Sequence, residues 1–509
     1  MTTSTQPMNT RRQFLQSTLA ASSLALLPPL GFGANPTIED HFADLMAGLG
    51  LSPQDTGGTI RFIGEEPLFP SATPLATAFA LPAMACAASA SIAWRMRGGG
   101  AQDLEIDIAQ AAHGIFPEMT ADPTLNGQPY PGFHTDNPIE GSHAYETRDG
   151  RYIYASAVYP HQTKGWVQFL GCDATQEAVR KAIQGWDAQP LEDAANNQNL
   201  TACLARTPAE WLAHPQGALL ARTPLAEIRK IGESAAEPLR SGPRPLSGLR
   251  VLAATHAIAG PVVGRSLAEH GAEVLQFSKP DDFEHEWVYL NSNVGVGSTF
   301  LDLNEPDQQD RALQLAQTAD VFVDNYRGRS LARFGFSPEA LAARRPGIIV
   351  VTIRCYGWEG PWALRGGFDM LGCAASGLTQ LEAVNGRPAL PATVLINDHV
   401  AGYLGAAGAM AALVRRAREG GSYHVSISLT RAAMWYQTLG MMDRTALIRT
   451  FDGARNRLPA PNMITCQTPF GVVTRLAPAV RMSRTPAGWD DPILVRKGSS
   501  PASWRQDRG

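Results

Sequence analysis

Asp369 stands directly after Gly366-Gly367-Phe368, where its carboxylate could act as a nucleophile or base. With a reference pKa of about 3.9 it is ionised at neutral pH unless strongly desolvated. On that tripeptide alone the commoner use of such an Asp is a turn or a helix N-cap. The six cysteines (Cys86, Cys172, Cys203, Cys355, Cys373 and Cys466) form no CxxC pair and no metal spacing. They read as buried thiols in a reducing compartment, with no disulfide framework and no metal site. Lys and Arg total 43 against 47 Asp and Glu, scattered along the chain, for a net charge of -4. No basic stripe marks a nucleic-acid track. The turn Thr255-His256-Ala257-Ile258-Ala259-Gly260-Pro261 lacks GxGxxG, and Phe277-Ser278-Lys279 ends the next strand without an acidic residue. Nicotinamide and flavin cofactors are therefore not expected.

These residues need elements to hold them, and 509 residues suffice for two or three cores. Residues 1–39 read as a leader. Thr10-Arg11-Arg12-Gln13-Phe14-Leu15 and the apolar run Ser17 to Leu27 look like a twin-arginine signal, too short to span a membrane. Residues 234–246, rich in Pro and small residues, read as a linker between units 40–233 and 247–509. Arg250 to Ala254, Ala272 to Phe277, Ala319 to Val323 and Gly347 to Thr352 read as strands, with helical stretches between them. Alternation of that kind implies an α/β fold: a parallel Rossmann-like sheet lobe, 247–400, with helices on both faces. Smaller α+β domains, including a helix and small domain over 401–509, complete the expected layout. After Asp490 the chain is short and polar and reads as a frayed end.

An internal repeat runs through both halves. Ser91 to Ala112 aligns without gaps on Ala412 to Ala433, 321 residues later. Arg95 and Arg97 meet Arg416 and Arg418, Gly99-Gly100 meets Gly420-Gly421, and Leu104, Ile106 and Ile108 meet Val425, Ile427 and Leu429. Each copy reads as an Ala-rich helix, a basic helix end, a Gly turn and an alternating strand. Two copies so far apart mean a duplicated domain.

Together these segments resemble the family III CoA-transferases, a group that also holds the α-methylacyl-CoA racemases. The resemblance rests on Pro245-Leu-Ser-Gly-Leu-Arg-Val-Leu, on Ala259-Gly260-Pro261 with Leu267 to Val274, and on Phe300-Leu-Asp-Leu303. It continues through Asp320 to Arg327, Tyr356-Gly-Trp-Glu-Gly-Pro361 and Gly367 to Leu378. Residues 40–233 resemble only the family's later portion, through Glu146 to Ile153 and Glu210 to Gly217. The resemblance implies a fused pair whose first unit lacks the sheet lobe, as an intramolecular pseudo-dimer or a homodimer.

It also implies CoA transfer between an acyl-CoA and a free carboxylic acid, with CoA as substrate, no cofactor and no membrane span. Asp369 is then the covalent nucleophile, and Asp398 a second family carboxylate whose repeat equivalent is Thr77. On that alignment the first unit has neither carboxylate. His256, Ala257 and Ile258 lie where the family lines its thioester channel, and Lys279 and Arg333 match contacts to the CoA nucleotide and pyrophosphate. Ile258 replaces a glutamine of formyl-CoA transferase, which favours an apolar acyl group over oxalate. The basic residue usual near Val294 to Ser298 is missing. A racemase would carry His before the Asp, and Phe368 cannot exchange protons; a non-catalytic acyl-CoA-binding protein is the other alternative. Free CoA is intracellular, so a cytoplasmic location is expected, with twin-arginine export as the alternative.

Overall fold

The computed structural model describes residues 36–132, 137–139, 143–442 and 458–505, so the twin-arginine-like segment lies outside the described residues. The site is organised by a seven-stranded sheet: β1 (Ala226–Gly232), β2 (Arg250–Ala254), β3 (Glu273–Ser278), β4 (Val296–Phe300), β5 (Val321–Asp324), β6 (Ile349–Arg354) and β7 (Ser422–Ser428). Their spatial order is β4-β3-β2-β5-β6-β7-β1. All neighbours are parallel except β1, which runs antiparallel to β7. Val251, Leu252, Phe322, Val323, Val350 and Val351 are buried, as strands covered on both faces require. The chain winds outward from β2 through β3 to β4, then restarts at β5 on the other side. In such sheets ligands bind beyond the strand ends where the order reverses, here after β2 and β5.

Four helices matter for the site: α1 (Leu75–Met96), α2 (Ala259–Glu269), α3 (Asp369–Ser376) and α4 (Ile396–Glu419). α1 is long and apolar enough to cross a membrane, but 94% of its apolar window is buried inside the fold. It packs along α4, and the two share one core with Phe79, Met84, Ile92, Leu404 and Met410. Gly402 lets α2 approach α4 closely, because a Cβ there would overlap the Val262 side chain. α4 also runs without interruption through residue 400, where the sequence suggested a boundary, and residues 38–509 cluster as one unit.

The repeat has a structural counterpart. α1 and α4 stand 321 residues apart, as do the strand Gln102–Asp107 and β7. The first copy retains one strand of a sheet lobe, Gly57–Ile63, which pairs in parallel with Gln102–Asp107 as β6 pairs with β7. Each copy then gives an edge strand to the other. β1, from the first half, pairs with β7, placing Ile228 opposite Val425; Val480–Met482, from the second half, pairs with Gln102–Asp107, placing Met482 opposite Leu104. Between its hairpin and its returning strand the first half carries the small domain that holds the strands Ala144–Glu146, Tyr152–Ser156 and Thr201–Leu204. The second half passes directly from Gly471–Leu476 to Val480. One half thus keeps the sheet lobe and the other keeps the small domain.

Residues 491–505 are packed rather than frayed. Ile493 and Leu494 are buried, and Trp504 is buried against the sheet lobe, with its indole N–H donating to Thr318 Oγ1 at 2.9 Å. Apolar residues spaced this widely give no periodic signal, so the sequence did not reveal their anchoring.

Candidate active site

A cavity of about 760 Å³ opens where the sheet order reverses. His256 and Ala257 follow β2, Asn325 and Tyr326 follow β5, and Phe368 and Asp398 form part of the wall. The opposite wall belongs to the small domain of the first half, through Tyr159, His161, Asn199 and Thr201. Tyr159 Oη and His256 Nδ1, 2.7 Å apart, join the two halves across it. Burial lowers the His256 pKa to about 4, so the ring is neutral.

Asp369 begins α3 but does not line the cavity. It is 1% exposed, and its Oδ2 accepts the backbone N–H groups of Asn397 (2.6 Å) and Asp398 (3.2 Å). The Cys373 thiol lies 3.7 Å from Oδ1. These amides belong to the first turn of α4, whose positive end favours a carboxylate. Val394 and Leu395, at φ 36° and 52°, turn the chain through the left-handed region that side-chain-bearing residues avoid, and so aim the α4 terminus at Asp369. Asn397 is itself fixed: its Nδ2 donates to the Asp369 carbonyl at 3.1 Å, and its Oδ1 accepts from Tyr436 at 2.6 Å. Burial lifts the Asp369 carboxyl to about 6, opposed by the backbone hydrogen bonds it accepts.

Asp398 has the opposite character. It is 9% exposed in the cavity wall, and among the described residues no donor engages its carboxylate. Burial first, and then the neighbouring Asp369 charge, push its pKa well above the carboxylate range. Sequence likeness located both carboxylates, and the structure puts Asp398 rather than Asp369 in the cavity wall. Asp369 is enclosed, with Oδ2 held by two backbone N–H groups, whereas Asp398 meets the cavity. The backbone N–H of Asp398 helps to anchor Asp369, while its side chain forms part of the cavity wall.

The repeat reproduces half of this arrangement. Glu66 Oε1 accepts the N–H groups of Ala76 (2.7 Å) and Thr77 (3.0 Å), the residues 321 positions before Asn397 and Asp398. The first half therefore does keep an anchoring carboxylate, supplied by a shortened loop that sequence alignment could not match. It lacks the wall carboxylate, because Thr77 stands in its place. Glu66→Gln is accordingly expected to leave steady-state turnover unchanged; a large fall in kcat would show that Glu66 takes part in the chemistry.

Other sequence candidates fare unevenly. Ile258 packs with Val262 and Val288 behind the wall and is no measure of the acyl group. Lys279 pairs with Asp281 at 3.8 Å beside the cavity without lining it. Arg333 is exposed, its guanidinium 4.4 Å from the Phe334 ring centre. Residues missed from sequence include Tyr159, Glu284 and Lys497. Glu284 accepts the Ala257 N–H at 2.6 Å, and burial raises it to about 7. Lys497 lines the cavity from the C-terminal segment and donates to the Asp282 carbonyl. Asn325 and Tyr326 had a signal, since they fall inside the Asp320 to Arg327 motif. Tyr159 and Lys497 had none.

Comparison with known proteins adds a family to this geometry. The profile of CoA-transferase family III matches residues 31–239 and 246–469. An acetyl-coenzyme A transferase of Hypoxylon pulicicidum, nodX, is 32% identical over 341 residues, which are 60% of this chain and 57% of that protein. A succinyl-CoA–L-malate CoA-transferase alpha subunit of Chloroflexus aurantiacus is 30% identical over 37% of this chain and 47% of its own length. A succinate–glutarate CoA-transferase of Agrobacterium fabrum is 29% identical over 36% and 51%. The matches thus span about half to three fifths of these relatives. A crystal structure of Rv3272 from Mycobacterium tuberculosis is 28% identical and covers 41% of this chain and 60% of its own, with a TM-score of 0.36.

Proposed function

The chain belongs to CoA-transferase family III, and on that footing we propose that it moves CoA from an acyl-CoA to a free carboxylic acid through Asp398. The observation that carries this reading is the Asp398 carboxyl, facing the cavity from the first turn of α4 with no hydrogen-bond donor among the described residues. Its carboxylate attacks the thioester carbonyl, the C–S bond breaks, and CoA thiolate leaves an aspartyl mixed anhydride. The thiolate then attacks the aspartyl carbonyl and expels the donor acid, so the thioester energy stays on the enzyme. The acceptor carboxylate attacks this aspartyl-CoA thioester and forms a second anhydride. Returning thiolate takes the acceptor acyl group and frees Asp398. Water must be kept out throughout.

Each neighbour has a part. Asp369 fixes the start of α4 and thereby the position of Asp398, while burial, and after it the Asp369 charge, favour a proton on Asp398. Phe368, Ile353, Cys355 and Leu429 line the cavity and suit an apolar acyl chain. Phe368 offers no exchangeable proton where a racemase would carry its His, which favours transfer over racemisation.

The direct test is incubation with an acyl-CoA panel and isotopically labelled acceptor acids, read by mass spectrometry. Label appearing in new CoA esters supports transfer; α-proton washout at a comparable rate, or binding with no exchange, would defeat it. The pH profile is a second check. Only ionised Asp398 attacks, so kcat/KM should rise with pH, and its acidic limb should lie well above the ordinary carboxylate range. A limb near pH 4 would mean that the reacting carboxylate is not this buried one.

A further inference from the structure

A second, smaller cavity lies away from the Asp398 wall, where three parts of the chain meet. It encloses about 50 Å³ between residues 110–117 of the first half, α2 of the sheet lobe, and the C-terminal segment Arg475 to Trp489. Two guanidiniums line it. Arg265 is 5% and Arg475 is 4% exposed, and their Nη1 atoms both donate to the same carbonyl, that of Asn291, at 3.1 and 3.3 Å. Arg265 Nε has no partner. Among the described residues no carboxylate reaches salt-bridge distance of either arginine.

Two like charges converging on one neutral oxygen, both removed from water, form an unbalanced arrangement. Buried charges ordinarily have a counter-charge and saturated hydrogen bonds. The nearby acids do not provide one by contact. Glu269 lines the cavity without hydrogen-bonding either arginine through its carboxyl, and both carboxyl oxygens of Glu118, behind the wall, lack partners. Burial raises each of these acids to about 7, opposed by the charges of Arg265 and Arg475, so at neutral pH each is only partly ionised. The remaining charge near this group, Arg244, is positive and bonds the Glu269 carbonyl. Tyr403 and Trp489 lie against Arg265 and Arg475, with ring centres 6.0 and 5.0 Å from the guanidinium carbons, and close the sides.

We propose that this cavity is a binding site for one small monovalent anion, chloride or a short carboxylate no larger than acetate, held between Arg265 and Arg475. The charge-assisted bonds it accepts replace the missing counter-charge. The room available admits a few waters or one such ion, and excludes CoA and its phosphates. Because the walls come from three segments, the anion ties the C-terminal hairpin to the sheet lobe and to the first half. The site does not depend on the chemistry proposed at Asp398.

The test uses the full-length protein. A ligand that binds only the folded state raises its melting temperature with concentration. At fixed ionic strength, with gluconate as the bulky replacement, the melting temperature should climb as chloride or formate is titrated in. Arg475→Gln and Arg265→Gln, each at its own baseline, should lose that climb. Identical melting in chloride, formate and gluconate, or an undiminished climb in both variants, would overturn the proposal. Should neither variant fold, bromide-soaked crystals decide by anomalous scattering. A peak between the two arginines supports the site, and ordered water there with no anomalous signal removes it.

Discussion

Asp398→Asn should lower turnover by several orders of magnitude while CoA binding changes little. The amide keeps the size of the side chain and its place on the first turn of α4, but it can neither attack a thioester nor carry an acyl group. Losses of that order, about 10⁴ or more, accompany removal of nucleophiles elsewhere. Hydroxylamine added during turnover should convert the wild-type protein to a hydroxamate on the peptide containing Asp398, and leave the variant unlabelled. Asp369→Asn supplies the contrast. Its Oδ1 can still accept the α4 amides, and loss of its charge removes the repulsion that adds to burial in holding a proton on Asp398. The expected outcome is reduced but measurable activity, with the acidic limb moved to lower pH. Label on the peptide containing Asp369, or near-wild-type turnover in Asp398→Asn, would return the nucleophile to Asp369.

Removing the first half should be nearly as damaging. A fragment beginning at Pro245 loses β1 and leaves the β7 edge open across the pairing from Ala226 to Gly232, a ready template for aggregation. It also uncovers the face of α4 that packs on α1. Leu75, Phe79, Leu81, Met84 and Ile92 of α1 are all buried. At about 1.5–3 kcal/mol for each large apolar side chain, their loss approaches the 5–15 kcal/mol that stabilises a whole domain. Tyr159 and His161 leave the cavity wall with the same cut. The fragment should therefore be insoluble or inactive, and co-expression with residues 1–244 should restore a soluble, active pair. A monomeric fragment with full activity on its own would refute the intramolecular pseudo-dimer.

Much of this was legible because it is local. Short apolar runs such as Arg250 to Ala254 and Gly347 to Thr352, separated by helical stretches, specify a parallel sheet through spacing and β-branched content alone. The duplication was visible because Arg95, Arg97, Gly99 and Gly100 recur intact, and helix ends and tight turns tolerate few alternatives. The motif around Asp369 drew attention to the correct helix termini. It could not say which carboxylate looks outward.

The amino-acid sequence determined the sheet, the paired long helices and the presence of two carboxylates near their ends, because backbone periodicity and turn chemistry act within a few residues. Tertiary structure decided the rest. Whether Asp369 or Asp398 lines the cavity depends on the left-handed turn at Val394-Leu395 and on the direction in which α4 then leaves. Whether the first half retains an anchor depends on Glu66 reaching Ala76 and Thr77 through a loop of different length. Which halves share a site depends on the exchange of edge strands, which brings Tyr159 of the first half to His256 of the second. Contacts between residues tens of positions or more apart leave no mark on local spacing, and here they fix which groups meet in the cavity.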